Sequence, residues 1–322
     1  MPETRTGRTW LIGPVLLSCL ALLLAPAAPA AAQPPYERIV VFGTSLSDSG
    51  NGFALVGGTN TPPDYEVDAL LIPAVPYARG GHHLSNGATW VEQLARPLGL
   101  AGSVLPALRG SNPGATNYSV GTARARDDGM NFNLSNQVNM FLQEFGGVAP
   151  SGALYVIEMG SNDTRDALLA GPNGAAIIQA AALSIAQNIA SLHAAGARTF
   201  LVWNSSDVGL TPAARALGPV VAALATQATV AFNTLLSGAL LQLAPLPGIQ
   251  ISGLDAFALI HAIVANPSGF GLTDVTTACI TPGVPPFTCQ NPDEFLFWDG
   301  IHPTRAVHGI IAQEAALVLA LQ

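Results

Sequence analysis

The chain has 322 residues, of which 49% are hydrophobic and 10% charged, with a formal net charge of -8. That apolar fraction is ample for a packed core and excludes a wholly disordered chain, and the length fits one large domain or two small ones. All cations are Arg, none of them clustered, and an acidic chain without a basic patch is no partner for nucleic acid.

Taken in chain order, the first element is an export signal. Arg5 and Arg8 form a short positive region, residues 11–24 are apolar apart from Ser18, and residues 27–32 (AAPAAA) offer small residues for cleavage before Gln33. The stretch is short and proline-interrupted for a transmembrane anchor, and lipid attachment at Cys19 would leave the apolar run 21–24 exposed. No later segment reads as an uninterrupted apolar stretch of membrane-spanning length. The chain is therefore expected to be secreted, extracellular or periplasmic, with residues 1–32 as signal peptide and 33–322 as one domain. In an oxidising compartment, Cys279 and Cys289 flanking a proline-rich loop read as a disulfide.

Strand-like and helix-like segments then alternate. Residues 38–42 (RIVVF), 117–120, 153–159 (ALYVIEM), 198–203 (RTFLVW) and 248–252 read as strands. Residues 86–98, 134–145, 175–195, 212–243 and 254–264 read as helices, with a stop at Gly196 and a break at Gly218-Pro219. Residues 303–321 close the chain as a helix with Pro303 at its first position. Residues 57–81, rich in Pro, Gly and Asn, read as a long surface loop. The alternation implies parallel pairing in a three-layer α/β/α sandwich, with ligands beyond the carboxyl ends of the strands.

Four segments carry chemistry. In VVFGTSLSDSGN, Ser45 follows the first strand at what reads as a helix start, where its N–H faces developing negative charge; the competing reading is that Ser45, Ser47 or Asp48 only caps that helix. In FWDGIHPT, Asp299 and His302 lie three apart before the last helix, a spacing that lets one turn present an orienting carboxylate and a base. Asn162 and Asp163 follow the 153–159 strand, and Gly121 follows the 117–120 strand; the Asn162 amide and the Gly121 N–H are candidate oxyanion donors, against bland readings as a helix cap and a turn glycine.

In this order, Ser, Gly, Asn and Asp-x-x-His, the segments resemble the blocks of the GDSL/SGNH hydrolase family. The stretches 84–91 (LSNGATWV), 208–212 (VGLTP) and 302–304 (HPT) resemble it too, so the likeness covers almost the whole mature chain. The resemblance implies a flavodoxin-like fold with five parallel strands, Ser45 as nucleophile, His302 as base and Asp299 as its orienter. It also implies an oxyanion hole from the Ser45 and Gly121 N–H groups and the Asn162 side chain. The family usually has Asp before the nucleophile, where this chain has Thr44. The expected activity is that of an esterase or lipase acting on small-molecule or lipid esters. An acyltransferase with the same triad and a non-catalytic exported binding protein of the same fold remain alternatives. An α/β-hydrolase elbow is disfavoured because GTSLS lacks the second Gly of G-x-S-x-G. No cofactor and no metal are expected: His82 and His83 read as loop residues without partners, His193 as a helix-end residue, and His261 and His308 as helix-packing residues.

Overall fold

Four runs rich in β-branched and aromatic residues form the central sheet: β1 (Arg38–Gly43), β2 (Ala153–Glu158), β3 (Thr199–Trp203) and β4 (Gln250–Leu254). All pairs are parallel, in the order β1-β2-β3-β4. The computed structural model describes Met1 and residues 35–55, 69–73, 75, 77–110 and 112–321. The export signal assigned to residues 1–32 and most of the 57–81 loop lie outside the described residues.

β2 is buried along its whole length, as an interior strand covered on both faces must be. Alternate side chains feed two cores. Val40, Phe42, Tyr155, Ile157, Phe200 and Val202 meet the helices α4 (Leu134–Glu144), α5 (Ser161–Leu169), α6 (Gly174–Ala195) and α8 (Pro219–Leu241). Ile39, Val41, Leu154, Val156, Leu201 and Trp203 meet α3 (Trp90–Ala95), α9 (Ala256–Ala265) and α10 (Arg305–Ala320) on the other face. The result is the expected three-layer α/β/α arrangement. The short helices α1 (Asn51–Leu55), α2 (Ala78–Gly81) and α7 (Pro212–Ala216), and a two-stranded parallel sheet of β5 (Asp274–Ala278) and β6 (Phe295–Phe297), complete the elements used below.

The expected fifth strand is an irregular edge. Residues 116–120 run parallel along β1, with Tyr118 N–H donating to the Val41 carbonyl at 2.8 Å and Val120 N–H to the Gly43 carbonyl at 3.1 Å. The Asn117 side chain folds back to accept from Ser119 N–H, and the Asn51 amide donates to the Asn117 and Ser119 carbonyls. Side-chain amides, together with the backbone of residues 103–107 (Ala107 N–H to the Asn117 carbonyl at 2.9 Å, Thr116 N–H to the Ser103 carbonyl at 2.6 Å), thus take the outer partners that a further strand would otherwise supply. The chain leaves β1 toward this edge and returns to β2 on the opposite side, which makes the carboxyl end of β1 the topological switch point.

Several boundaries differ from the sequence reading. The last helix begins at Arg305, because residues 302–304 turn back along β6: Trp298 N–H donates to the His302 carbonyl at 2.7 Å and Thr304 N–H to the Leu296 carbonyl at 3.1 Å. Of the 86–98 helix only Trp90–Ala95 forms, opened by a capping box between Thr89 and Glu92. Within the 57–81 stretch, Ile72, Val75 and Tyr77 are buried with Cys279, Ile280 and Trp298 in a third apolar cluster, so this part is not a surface loop. The sequence reading missed β5, β6 and the small helices. The segments Gly171–Ala195 and Pro219–Leu241 are long and apolar enough to cross a membrane, contrary to expectation. Both lie against the sheet through buried faces that include Ile185, Ile189, Phe232 and Leu236.

Candidate active site

The turn after β1 is held from two sides. Gln137 on α4 accepts from Gly43 N–H at 2.9 Å and donates to the Gly43 carbonyl at 3.0 Å, satisfying the end of the strand. The next residues form a turn closed by Ser47 N–H on the Thr44 carbonyl at 3.1 Å. Ser45 sits in this turn and not at a helix N-terminus, since α1 starts only at Asn51. Its N–H has no hydrogen-bond partner among the described residues. The capping role belongs to Asp48, whose buried carboxylate accepts N–H bonds from Gly50, Asn51 and Gly52 at 2.6–2.9 Å.

The other end of the chain comes to this turn. His302 Nε2 lies 2.8 Å from Ser45 Oγ, and His302 Nδ1 lies 2.7 Å from Asp299 Oδ2. Asp299 and His302 are buried, at 0% and 1% exposure, so their contact is unscreened by water. The three-residue spacing works through the backbone as well: Asp299 Oδ1 accepts from the N–H groups of Ile301 at 2.9 Å and His302 at 2.7 Å. With Asp299 accepting from Nδ1–H, the imidazole presents its Nε2 lone pair to the Ser45 hydroxyl. Gly300, between them, faces the Leu70 carbonyl so closely that a Cβ would lie 2.2 Å from it.

The two further expected donors behave differently. Asn162 lines the same pocket as Ser45 and His302, and its amide donates one hydrogen to the Ala123 carbonyl at 2.8 Å, leaving the second for the pocket. It does not cap α5, whose N-cap is Gly160 at φ 117 without a side-chain cap; a Cβ there would meet Phe232 at 2.2 Å, so only glycine fits. The Gly121 N–H, by contrast, donates to Asp48 Oδ2 at 2.8 Å. In this geometry it is engaged by a carboxylate and is not free for an oxyanion. Asp163 is buried against Arg126 at 2.8 Å, a structural ion pair that ties α5 to the preceding loop.

A match to the model of GDSL-like lipase/acylhydrolase spans residues 39–315. The chain belongs to that family. It is an enzyme of the hydrolase or acyltransferase type acting on esters. It is 28% identical to the phosphatidylcholine-sterol acyltransferase of Aeromonas hydrophila, over 94% of this chain and 96% of the relative. It is 26% identical to a GDSL esterase/lipase of Arabidopsis thaliana, over 86% and 88% of the two chains. Among solved structures, an α/β hydrolase from the metagenome of Lake Arreo, Spain, aligns at 12% identity and a TM-score of 0.46, covering 88% of this chain and 94% of that one.

In this GDSL-like acylhydrolase the remaining blocks that resemble the family frame the histidine loop. Ser85 Oγ donates to the Pro303 carbonyl at 2.8 Å, and Asn86 Oδ1 accepts from Arg305 N–H at 2.7 Å, gripping the start of α10 on either side of Thr304. Thr211 caps α7 by accepting from Ala214 N–H, and Ala213 N–H donates to the Gly300 carbonyl at 2.9 Å. Cys279 and Cys289 are disulfide-bonded, and the N–H groups of Cys279 and Ile280 donate to Phe297 and Trp298 at 3.0 and 3.1 Å. The bridge therefore braces the strand that delivers Asp299.

Two residues that sequence reasoning missed support the site from behind. Tyr77 Oη donates to Asp299 Oδ2 at 3.0 Å from 222 positions away, and no local pattern announces it. Glu158, at the end of β2, accepts from Thr44 N–H and Thr44 Oγ1 at 3.0 Å and from Ser47 Oγ at 3.1 Å. Its complete burial pushes the carboxyl up to about 7, against the opposing pull of those donors. At position 44 the Thr hydroxyl gives Glu158 a donor, where an aspartate would set a second carboxylate against it. Among the histidines, His83 lies in a loop as read but is buried against Glu92 at 2.6 Å, and His261 packs its ring on Phe257, 4.5 Å between centroids, while also facing Asp207 at 3.0 Å. His308 packs as well: it is fully buried, accepts from Trp90 N–H at 3.2 Å, and is held down to about 3 by desolvation.

Proposed function

We propose that the protein is an exported serine esterase or lipase that cleaves carboxylic esters through an acyl-enzyme on Ser45. The supporting observation is the hydrogen-bonded sequence Ser45 Oγ–His302 Nε2 and His302 Nδ1–Asp299, at 2.8 and 2.7 Å, at the switch point of the sheet. Ser45 Oγ attacks the ester carbonyl carbon while its proton passes to His302 Nε2. Asp299 holds the ring in the required tautomer and stabilises the imidazolium. The oxyanion is received by the unpartnered Ser45 N–H and the second hydrogen of the Asn162 amide. His302 returns its proton to the leaving alcohol, and a water then attacks the acyl carbon to release the acid and regenerate Ser45.

Residues 1–32 act as the export signal in this reading and 33–322 as the single catalytic domain; Pro34–Gln322 forming one unit suits a single domain, and the Cys279–Cys289 bridge suits an oxidising destination. A mature N-terminus at Gln33 in the secreted protein is the expected mass-spectrometric result. Ser45→Ala is expected to lower kcat by about 10⁴-fold or more with the fold intact, and to abolish labelling by a fluorophosphonate. A folded Ser45→Ala protein with normal turnover would remove the assignment. The similarity to an acyltransferase supports a second reading, in which an alcohol replaces water at the acyl-enzyme. Product analysis with a lipid acyl donor and added alcohol separates them: free fatty acid marks the hydrolase, a new ester the transferase.

A further inference from the structure

Behind the Ser45 pocket lies a narrow apolar cavity of about 50 Å³ between α9, α10 and β6. Leu46, Ser206, Thr211 and Ile301 line both spaces, so the two share a wall or a mouth. Among the described residues, Ser206 and Thr211 are the hydroxyl-bearing members of the cavity lining; the interior is walled by Trp203, Leu259, Ile260, Ile263, Leu296 and Ile311. The space is polar beside the nucleophile and apolar beyond it, which matches an ester with its carbonyl at Ser45 and its hydrocarbon chain pointing inward. The apolar part of such a space gains by taking a hydrocarbon.

Resting on the ester-hydrolase reading above, we propose that this cavity is the acyl-chain subsite and that it selects short chains. One water-sized unit needs about 10–15 Å³ of such space, so a cavity of about 50 Å³ holds roughly four, each comparable to a methylene. The acyl groups that fill it have about four to six carbons. Each buried methylene raises binding by about fourfold, so a butanoyl ester exceeds an acetyl ester by about 15-fold in kcat/KM. Longer chains run into the walls that α9 and α10 supply.

The experiment is a p-nitrophenyl ester series from acetate to palmitate, run on the mature chain and on two variants of Ile260. The mature chain is expected to peak near butanoate to hexanoate. Ile260→Phe fills the cavity and collapses the butanoate-to-acetate ratio toward one. Ile260→Ala opens it by about three methylenes and moves the peak to longer chains. A wild-type optimum at twelve carbons or more overturns the proposal, as does a chain-length profile unchanged in the folded variants while Ser45-dependent hydrolysis persists. The absence of Ser45-dependent hydrolysis at every chain length overturns the ester-hydrolase reading and this subsite together.

Discussion

Replacing Glu158 with Gln tests the buried support of the nucleophile turn. The carboxyl, ordinarily at 4.5, is pushed up to about 7 by burial. The folded state therefore holds a proton between those values that the unfolded chain has released, so stability falls as pH rises from 4.5 to 7 and the full penalty persists above 7. The difference amounts to about 3 kcal/mol, at 1.36 kcal/mol per tenfold change in proton affinity. Gln keeps a carbonyl for Thr44 N–H and Thr44 Oγ1 but does not titrate. Relative to wild type, Glu158→Gln should thus gain about 3 kcal/mol between pH 4 and pH 8, or a relative rise of about 5 °C or more in melting temperature. Thermal melts of both proteins at pH 4, 6 and 8 measure this. Stability curves that stay parallel across the range would refute the raised carboxyl and the argument from burial.

The groups around His302 should rank in kcat/KM: His302→Ala loses most, Asp299→Asn less, and Tyr77→Phe, which removes one hydrogen bond to Asp299, least. A silent Asp299→Asn would hand the orienting role to another acceptor. Asn162→Asp replaces the donor to the Ala123 carbonyl and to the oxyanion by an acceptor, so kcat should drop at least ~100-fold and stability by about 1–3 kcal/mol; lost stability with near-normal kcat would leave Asn162 a structural tie only. Reduction of Cys279–Cys289, which closes a loop of sequence separation 10, should cost about 3 kcal/mol and lower activity through the strand leading to Asp299. An unchanged melting temperature on reduction would count against that linkage.

The residues with local signatures were legible in the sequence. β1, β2 and β3 announce themselves as short buried runs of β-branched and aromatic residues, α6 stops at Gly196 as read, and the break at Gly218-Pro219 falls between α7 and α8. Asp299 and His302 are close in sequence, so their contact follows from one turn, and the order of four short blocks pointed to Ser45. The tertiary structure decided the partners that lie far apart along the chain. Tyr77 on Asp299, Glu158 beneath Thr44, Gln137 on Gly43 and Asp48 on the Gly121 N–H join segments between 73 and 222 positions apart. A hydrogen bond depends on distance and direction in space, whereas helix and strand periodicity carries information over only a few residues. The same reason moved the start of α10 from Pro303 to Arg305: the backbone of residues 302–304 found its partners on β6, and long-range pairing prevailed over the local preference of proline for a helix start.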